Sequence, residues 1–199
     1  MNRMKTMVVR LIIALFAAVT CWAADADSSS IASLRASALE GSALAQWKLG
    51  KAYLSGEGVA QDTAEGMKWI IKAAEQGNAV AQDYMGVMYA NGSDVAKDDA
   101  EAVKWFRKAA AQGNPDAQLN LGRMYFNGRG VQQDAAEAVK WIIKAAEQGD
   151  VDAQYMLGVS YYGLIEGVPE DRVEAKKWLR KAAAQGCAEA QEFLNKVGW

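Results

Sequence analysis

Four pairs of carboxylates, each three residues apart, are the first chemistry the sequence offers: Asp62 with Glu65, Asp98 with Glu101, Asp134 with Glu137, and Asp171 with Glu174. Paired carboxylates can divide general acid and general base duties, as in glycoside hydrolysis. Catalytic groups have little reason to recur in four copies, whereas helix starts must. An acid followed three residues later by Glu is capping-box spacing: the acid accepts from a free first-turn N–H and the Glu reaches back. Negative charge there also meets the positive end of the helix dipole. Acid–base work would further require one carboxylate with a raised pKa in an apolar cleft, and spacing alone does not locate one.

Other reactive constellations fail on residue type. The 199 residues include no His, which removes the Ser-His-Asp triad, the Cys-His pair and any His-ligated metal site. Gly56, Gly58, Gly128 and Gly130 resemble phosphate-loop material, but no Gly-Lys-Ser/Thr follows and no strand precedes them. No Ser has a Lys three residues on, as a serine β-lactamase would need. Against 24 acidic residues stand 22 basic ones, a balance with no footprint for nucleic acid. Composition therefore points away from hydrolysis, cofactors and metals, towards a packed helical binding protein.

The first 23 residues read as an address. Arg3, Lys5 and Arg10 precede an apolar run, Leu11 to Val19, and the small residues Cys21 and Ala23 precede an expected cut. The run is too short to span a bilayer, which takes about 20 residues. The expectation is a signal peptide over 1–23, hence an exported protein, periplasmic or secreted, with no membrane association after cleavage. The alternatives for the same stretch are an uncleaved N-terminal anchor and lipidation at Cys21. Losing those three cations moves the net charge from −2 to −5. Residues 24–30, small and polar, read as a flexible linker. One cysteine then remains, Cys187, so no internal disulfide can form and core burial must hold the fold.

The rest of the chain repeats. Leu49-Gly50, Met85-Gly86, Leu121-Gly122 and Leu157-Gly158 recur every 36 residues, each followed by Tyr three positions on: Tyr53, Tyr89, Tyr125 and Tyr161. Trp69, Trp105, Trp141 and Trp178 recur with a last step of 37, the extra residue falling between Gly158 and Asp171. Lys-Ala-Ala triplets led by Lys72, Lys108, Lys144 and Lys181 close the units, and Gly77, Gly113, Gly149 and Gly186 end them. Residues 68–77 and 140–149 are identical, which suggests internal copying.

Each unit reads as two helices. Ser42, Asn78, Asn114 and Asp150 are N-cap candidates for the first, and Pro115 stands where a missing N–H costs nothing. Cys187 holds the cap place of the last helix, a weaker choice. Ala45, Leu49, Gly50 and Tyr53 form one apolar stripe; Trp and the Ala-Ala pair form the stripe of the second helix. Val59, Val95, Val131 and Val168 are expected to pin the intervening loops to the core. One 36-residue hairpin cannot bury its own stripes, but stacked hairpins can. The expected fold is all-α: a right-handed α-solenoid of four hairpin repeats at about 43–78, 79–114, 115–150 and 151–187, within a repeat domain spanning 42–199. Half-repeat capping helices flank the repeats at 31–41 and 188–197.

The pattern Ala-x-x-x-Leu-Gly-x-x-Tyr-x-x-Gly-x-Gly-Val-x-x-Asp followed by Ala-x-x-Trp-x-x-Lys-Ala-Ala-x-x-Gly resembles the Sel1-like repeat over nearly all of 37–195. That resemblance implies a right-handed superhelix of antiparallel hairpins, similar to tetratricopeptide proteins, and a non-catalytic adaptor that binds a protein or peptide. Exported bacterial relatives imply cell-envelope, signalling or host-contact processes. The alternative it carries is a cell-wall or β-lactam hydrolase of the cysteine-rich type, whose units each hold a cysteine pair that this chain lacks.

Recurring residues are expected to stack hairpins, which leaves the varying first-helix positions for a partner. These are Trp47, Lys51 and Leu54; Asp83, Val87 and Ala90; Leu119, Arg123 and Phe126; and Tyr155, Val159 and Tyr162. By analogy with tetratricopeptide arrays they line a concave groove, an apolar and aromatic strip with Lys51, Asp83 and Arg123 as polar fixers. The competing reading packs Trp47 and Tyr155 against neighbouring helices, since large apolar residues at helical spacing are usually core.

Overall fold

Side-chain caps set the register of every hairpin. Oxygens of Ser42, Asn78, Asn114 and Asp150 accept from the backbone N–H three residues on, at 3.3, 2.9, 2.8 and 2.7 Å. Asp62, Asp98 and Asp134 do the same for the second helices at 2.9 Å, and Asp171 accepts from both Val173 and Glu174 at 3.0 Å. The computed structural model describes residues 30–93 and 95–199. The export segment read over 1–23 and most of the linker read over 24–30 lie outside them.

Among the described residues there are ten α-helices and no strand. The chain divides into two compact units, the first ending at Gln76 and the second running Gly77–Trp199. The first holds α1 (30–39), α2 (Ala43–Ser55) and α3 (Thr63–Glu75). The second holds three hairpins: α4 (Ala79–Asn91) with α5 (Asp99–Ala111), α6 (Pro115–Asn127) with α7 (Ala135–Glu147), and α8 (Val151–Val159) with α9 (Arg172–Ala184). The last helix is α10 (Ala188–Lys196). Here α5 packs on α6, α7 on α8 and α9 on α10, so each hairpin stacks on the next.

The extra residue of the fourth repeat is absorbed by a π-helical turn, Ser160–Leu164, that extends α8. Asp171 N–H still reaches the Tyr161 carbonyl at 2.8 Å, matching Asp62 to Tyr53, Asp98 to Tyr89 and Asp134 to Tyr125 at 2.9, 2.9 and 3.1 Å. Those bonds correct one expectation. The capping box is only half built, because the aspartate N–H that Glu was to take already serves the preceding helix. Glu65, Glu101, Glu137 and Glu174 instead pair with Lys68, Lys104, Lys140 and Lys177, one turn on.

Within each hairpin the recurrent Gly lets the second helix close in. A Cβ on Gly50 would stand 2.6 Å from Ile70 Cγ1 and 2.9 Å from the Gly66 carbonyl oxygen. On Gly86 it would meet the Phe106 ring at 2.5 Å. The fully buried partners are thus Ile70, Phe106, Ile142 and Leu179, each one residue past the Trp. The Trp residues themselves are more peripheral: Trp69 and Trp178 are buried, Trp105 and Trp141 half-buried. Over their rings lie Lys72, Lys108, Lys144 and Lys181 at 4.6, 4.1, 4.0 and 4.2 Å, cation–π contacts worth about 0.5–1 kcal/mol each where exposed. Of the loop valines, Val168 is buried and Val59, Val95 and Val131 are half-buried.

Buried glutamines join neighbouring elements. Gln112, Gln148 and Gln185 donate to Oε1 of Gln82, Gln118 and Gln154 at 2.7, 2.8 and 2.9 Å. Gln118 and Gln154 donate in turn to the carbonyls of Ala110 and Ala146, in the preceding hairpin, at 3.3 and 3.1 Å. In the first unit Gln46 donates to Ala38 at 3.0 Å. Each bond satisfies a buried polar atom that would otherwise cost about 1–3 kcal/mol.

Candidate partner-binding face

In the first unit the varying side chains sit on α2. Trp47 is half-buried with the Lys51 ammonium 5.8 Å from its ring centroid, and Lys51 is exposed. Leu54 is half-buried and lies against Gly66 of α3. Sequence reasoning did not foresee an open apolar cleft of about 730 Å³ beside α1, lined by Ile31, Leu39, Tyr53 and Val59 among others.

In the second unit the structure sorts the proposed strip into core and surface. Leu119 is only 4% exposed, packed with Ile142, Leu157 and Trp178, and Ala90 is buried beside Phe106. Both belong to the stacking core and offer no face to a partner. Val87 and Phe126 are half-buried against the same two clusters. Tyr162 is held at the end of the array: its ring stands edge-on to Phe193 and Trp199 at 5.0 and 5.5 Å, with the Arg172 guanidinium 4.6 Å from its centre.

The polar members remain accessible. Asp83 accepts from Asn120 Nδ2 at 3.0 Å, linking α4 to α6. Burial raises its carboxyl pKa to about 6; the Asn120 bond opposes that shift and the neighbouring Asp116 charge adds to it. Burial also raises the carboxyl of Asp150, the N-cap of α8; spacing located neither of these two raised carboxylates. The four carboxylate pairs, in contrast, are fully engaged as caps and Glu–Lys pairs. Arg123 meets Asp152 at 3.3 Å, with side chains 42% and 71% exposed.

Arg123, Tyr155 and Val159 come together on an open cleft of about 390 Å³. Its other lining residues were missed: Asp152, Met156, Ile165, Cys187 and Glu189. Ile165 was hidden because it follows the π-helical turn. Burial raises the Tyr155 hydroxyl pKa, and the neighbouring Cys187, Glu189 and Glu192 raise it further. Among the described residues no cluster of His, Cys, Asp and Glu could hold a metal ion, and no helix is long and apolar enough to cross a membrane.

The Sel1 repeat model matches residues 43–78, 79–114, 115–150 and 151–187. The chain belongs to the Sel1 repeat family. Sel1 repeat proteins generally mediate protein–protein interaction, and their repeats are typically non-catalytic. No functionally curated protein matches the chain. Among solved structures it is similar to a protective antigen of uropathogenic Escherichia coli with an SLR fold, at 41% identity and a TM-score of 0.78 over 84% of this chain and 36% of the antigen. The chain thus spans about a third of that protein. It is similar to a Sel1 repeat protein from Oxalobacter formigenes at 34% identity and a TM-score of 0.78, over 86% and 69% of the two chains. An immunity protein from Pseudomonas aeruginosa, PA5088, matches at 26% identity and a TM-score of 0.54, over 82% and 59%. With these neighbours the fold is an all-α Sel1 solenoid.

Proposed function

We propose that this Sel1 repeat protein is an exported, non-catalytic adaptor that holds a protein or peptide partner on its first-helix face, in cell-envelope or host-contact processes. The observation carrying this is a division of labour. Leu, Gly, Gln and Trp at recurring positions are spent on stacking, while Lys51, Asp83 and Arg123 vary between repeats and keep accessible surface, and Tyr155 and Val159, packed on one side against the core of Leu179 and Leu194, keep part of theirs. Arg and aromatic groups of that kind dominate binding energies where water is excluded. The names of the similar structures, an immunity protein and a protective antigen, are not those of enzymes. Export rests on the basic start, short apolar run and small-residue exit of residues 1–23.

A photoreactive amino acid placed in cells at Lys51 or Arg123, and for comparison at Lys104 or Lys140 on the second helices, tests the face. Adducts concentrated on the first pair are expected; equal yields from both pairs reject it. Fractionation and N-terminal sequencing, with an expected mature start at Ala24, test export.

A further inference from the structure

The cleft between α6, α8 and α10 includes residues with no counterpart in the other repeats, Ile165 among them. Its floor is Tyr155, Met156 and Val159 on one face of α8, and Ile165 closes one side. Ile165 follows the helix-ending turn at Gly163, φ 92°, that absorbs the extra residue of the fourth repeat. The volume of about 390 Å³ lies at the low end of ligand sites, roughly 300–1,000 Å³. It suits one large side chain with its neighbours, not a long groove.

Among the lining side chains the carboxylates Asp152 and Glu189 outnumber the one cation. The cation on the lining is Arg123, already paired with Asp152. Glu189 also lines the cleft, where it accepts from the Cys187 thiol at 3.4 Å. Glu192 is close enough to act on Tyr155. An exposed pair such as Arg123–Asp152 contributes at most about 1 kcal/mol, so Asp152 can exchange its partner cheaply. An anionic rim around an apolar floor favours a cation beside an apolar anchor and repels carboxylates.

We propose that this cleft is the specificity site of the partner-binding face, and that it takes a peptide segment presenting one large apolar side chain within two positions of a lysine or arginine. The inference rests on the adaptor reading and narrows it to one cleft and one partner chemistry. The apolar side chain enters over Val159 and Ile165, and the cation lies between Asp152 and Glu189.

The test is selection of a random dodecapeptide library on the full chain, with affinities of the enriched peptides read by fluorescence anisotropy. Expected winners pair an aromatic or leucine with a nearby cation. They lose at least about tenfold in affinity on the Asp152→Lys/Glu189→Lys double variant, and again on Ile165→Ser. Both variants change exposed or loop positions, and an unchanged helical spectrum confirms folding. Acidic or uncharged winners, winners indifferent to both variants, or no enrichment would each overturn the proposal. Peptides that ignore both variants but are lost on Lys51→Glu would leave the adaptor reading standing and remove only this site.

Discussion

Asp83 gives the sharpest handle on single residues. Its carboxyl is raised to about 6 from 3.8, so the folded state holds this proton more tightly than the unfolded chain. Its contribution is therefore present below pH 4 and is lost as pH rises through about 6. Asp83→Asn keeps an acceptor for Asn120 and removes the charge. Urea unfolding should show the variant equal to wild type near pH 4 and more stable at pH 7.5, on the order of 1 kcal/mol after allowance for partial exposure. An equal offset at both pH values would show that the carboxyl does not titrate in this range. At Gly50 the packing argument predicts the opposite sign. Alanine gains about 1 kcal/mol of helix propensity, but its methyl would stand 2.9 Å from the Gly66 carbonyl oxygen and 2.6 Å from Ile70. Overpacking of that kind costs about 1–3 kcal/mol, so Gly50→Ala should lower the urea midpoint, by about 1 kcal/mol net.

Elements were the most legible scale, because caps and stripes are local. Three steps of about 36 residues placed each hairpin helix start on a side chain that does cap it, and the Gly at each unit's end takes up positive φ, as Gly149 does at 96°. The second half of the capping box was not legible: the Tyr carbonyl that claims the aspartate N–H is nine or ten residues away and becomes a neighbour only once the loop folds back. The C-terminal helix shows the cap rule by exception. Cys187 occupies the N-cap of α10, but its side chain accepts from no first-turn N–H. Cys187→Ser, nearly isosteric, should supply one and raise the thermal midpoint, equivalent to about 1 kcal/mol; no rise would mean that packing, not the cap, fixes the start of α10.

Over the whole chain, sequence periodicity identified the hairpins but blurred which side chains join them. Leu119 and Arg123 both vary between repeats, yet one is buried among Ile142 and Trp178 while the other meets solvent. Variation alone does not separate a surface position from a core position refitted to its neighbours. The glutamine bonds were not legible: Gln82, Gln118 and Gln154 recur at 36, but polar residues on a helix suggest solvent until burial is seen. Gln118→Ala would remove two inter-hairpin bonds, to the Ala110 carbonyl and from the Gln148 amide, each of which keeps a second partner in Gly113, and should cost about 1 kcal/mol in urea unfolding. The most direct check is an alanine scan of unfolding free energy over 79–187. Large losses, about 2 kcal/mol or more, are expected at Leu121, Ile142, Leu157 and Leu179, with changes within about 0.5 kcal/mol at Arg123 and Asp152. Losses at Arg123 and Asp152 as large as those at the four core positions would show that the first-helix face is committed to stability, and that no surface there is left for a partner.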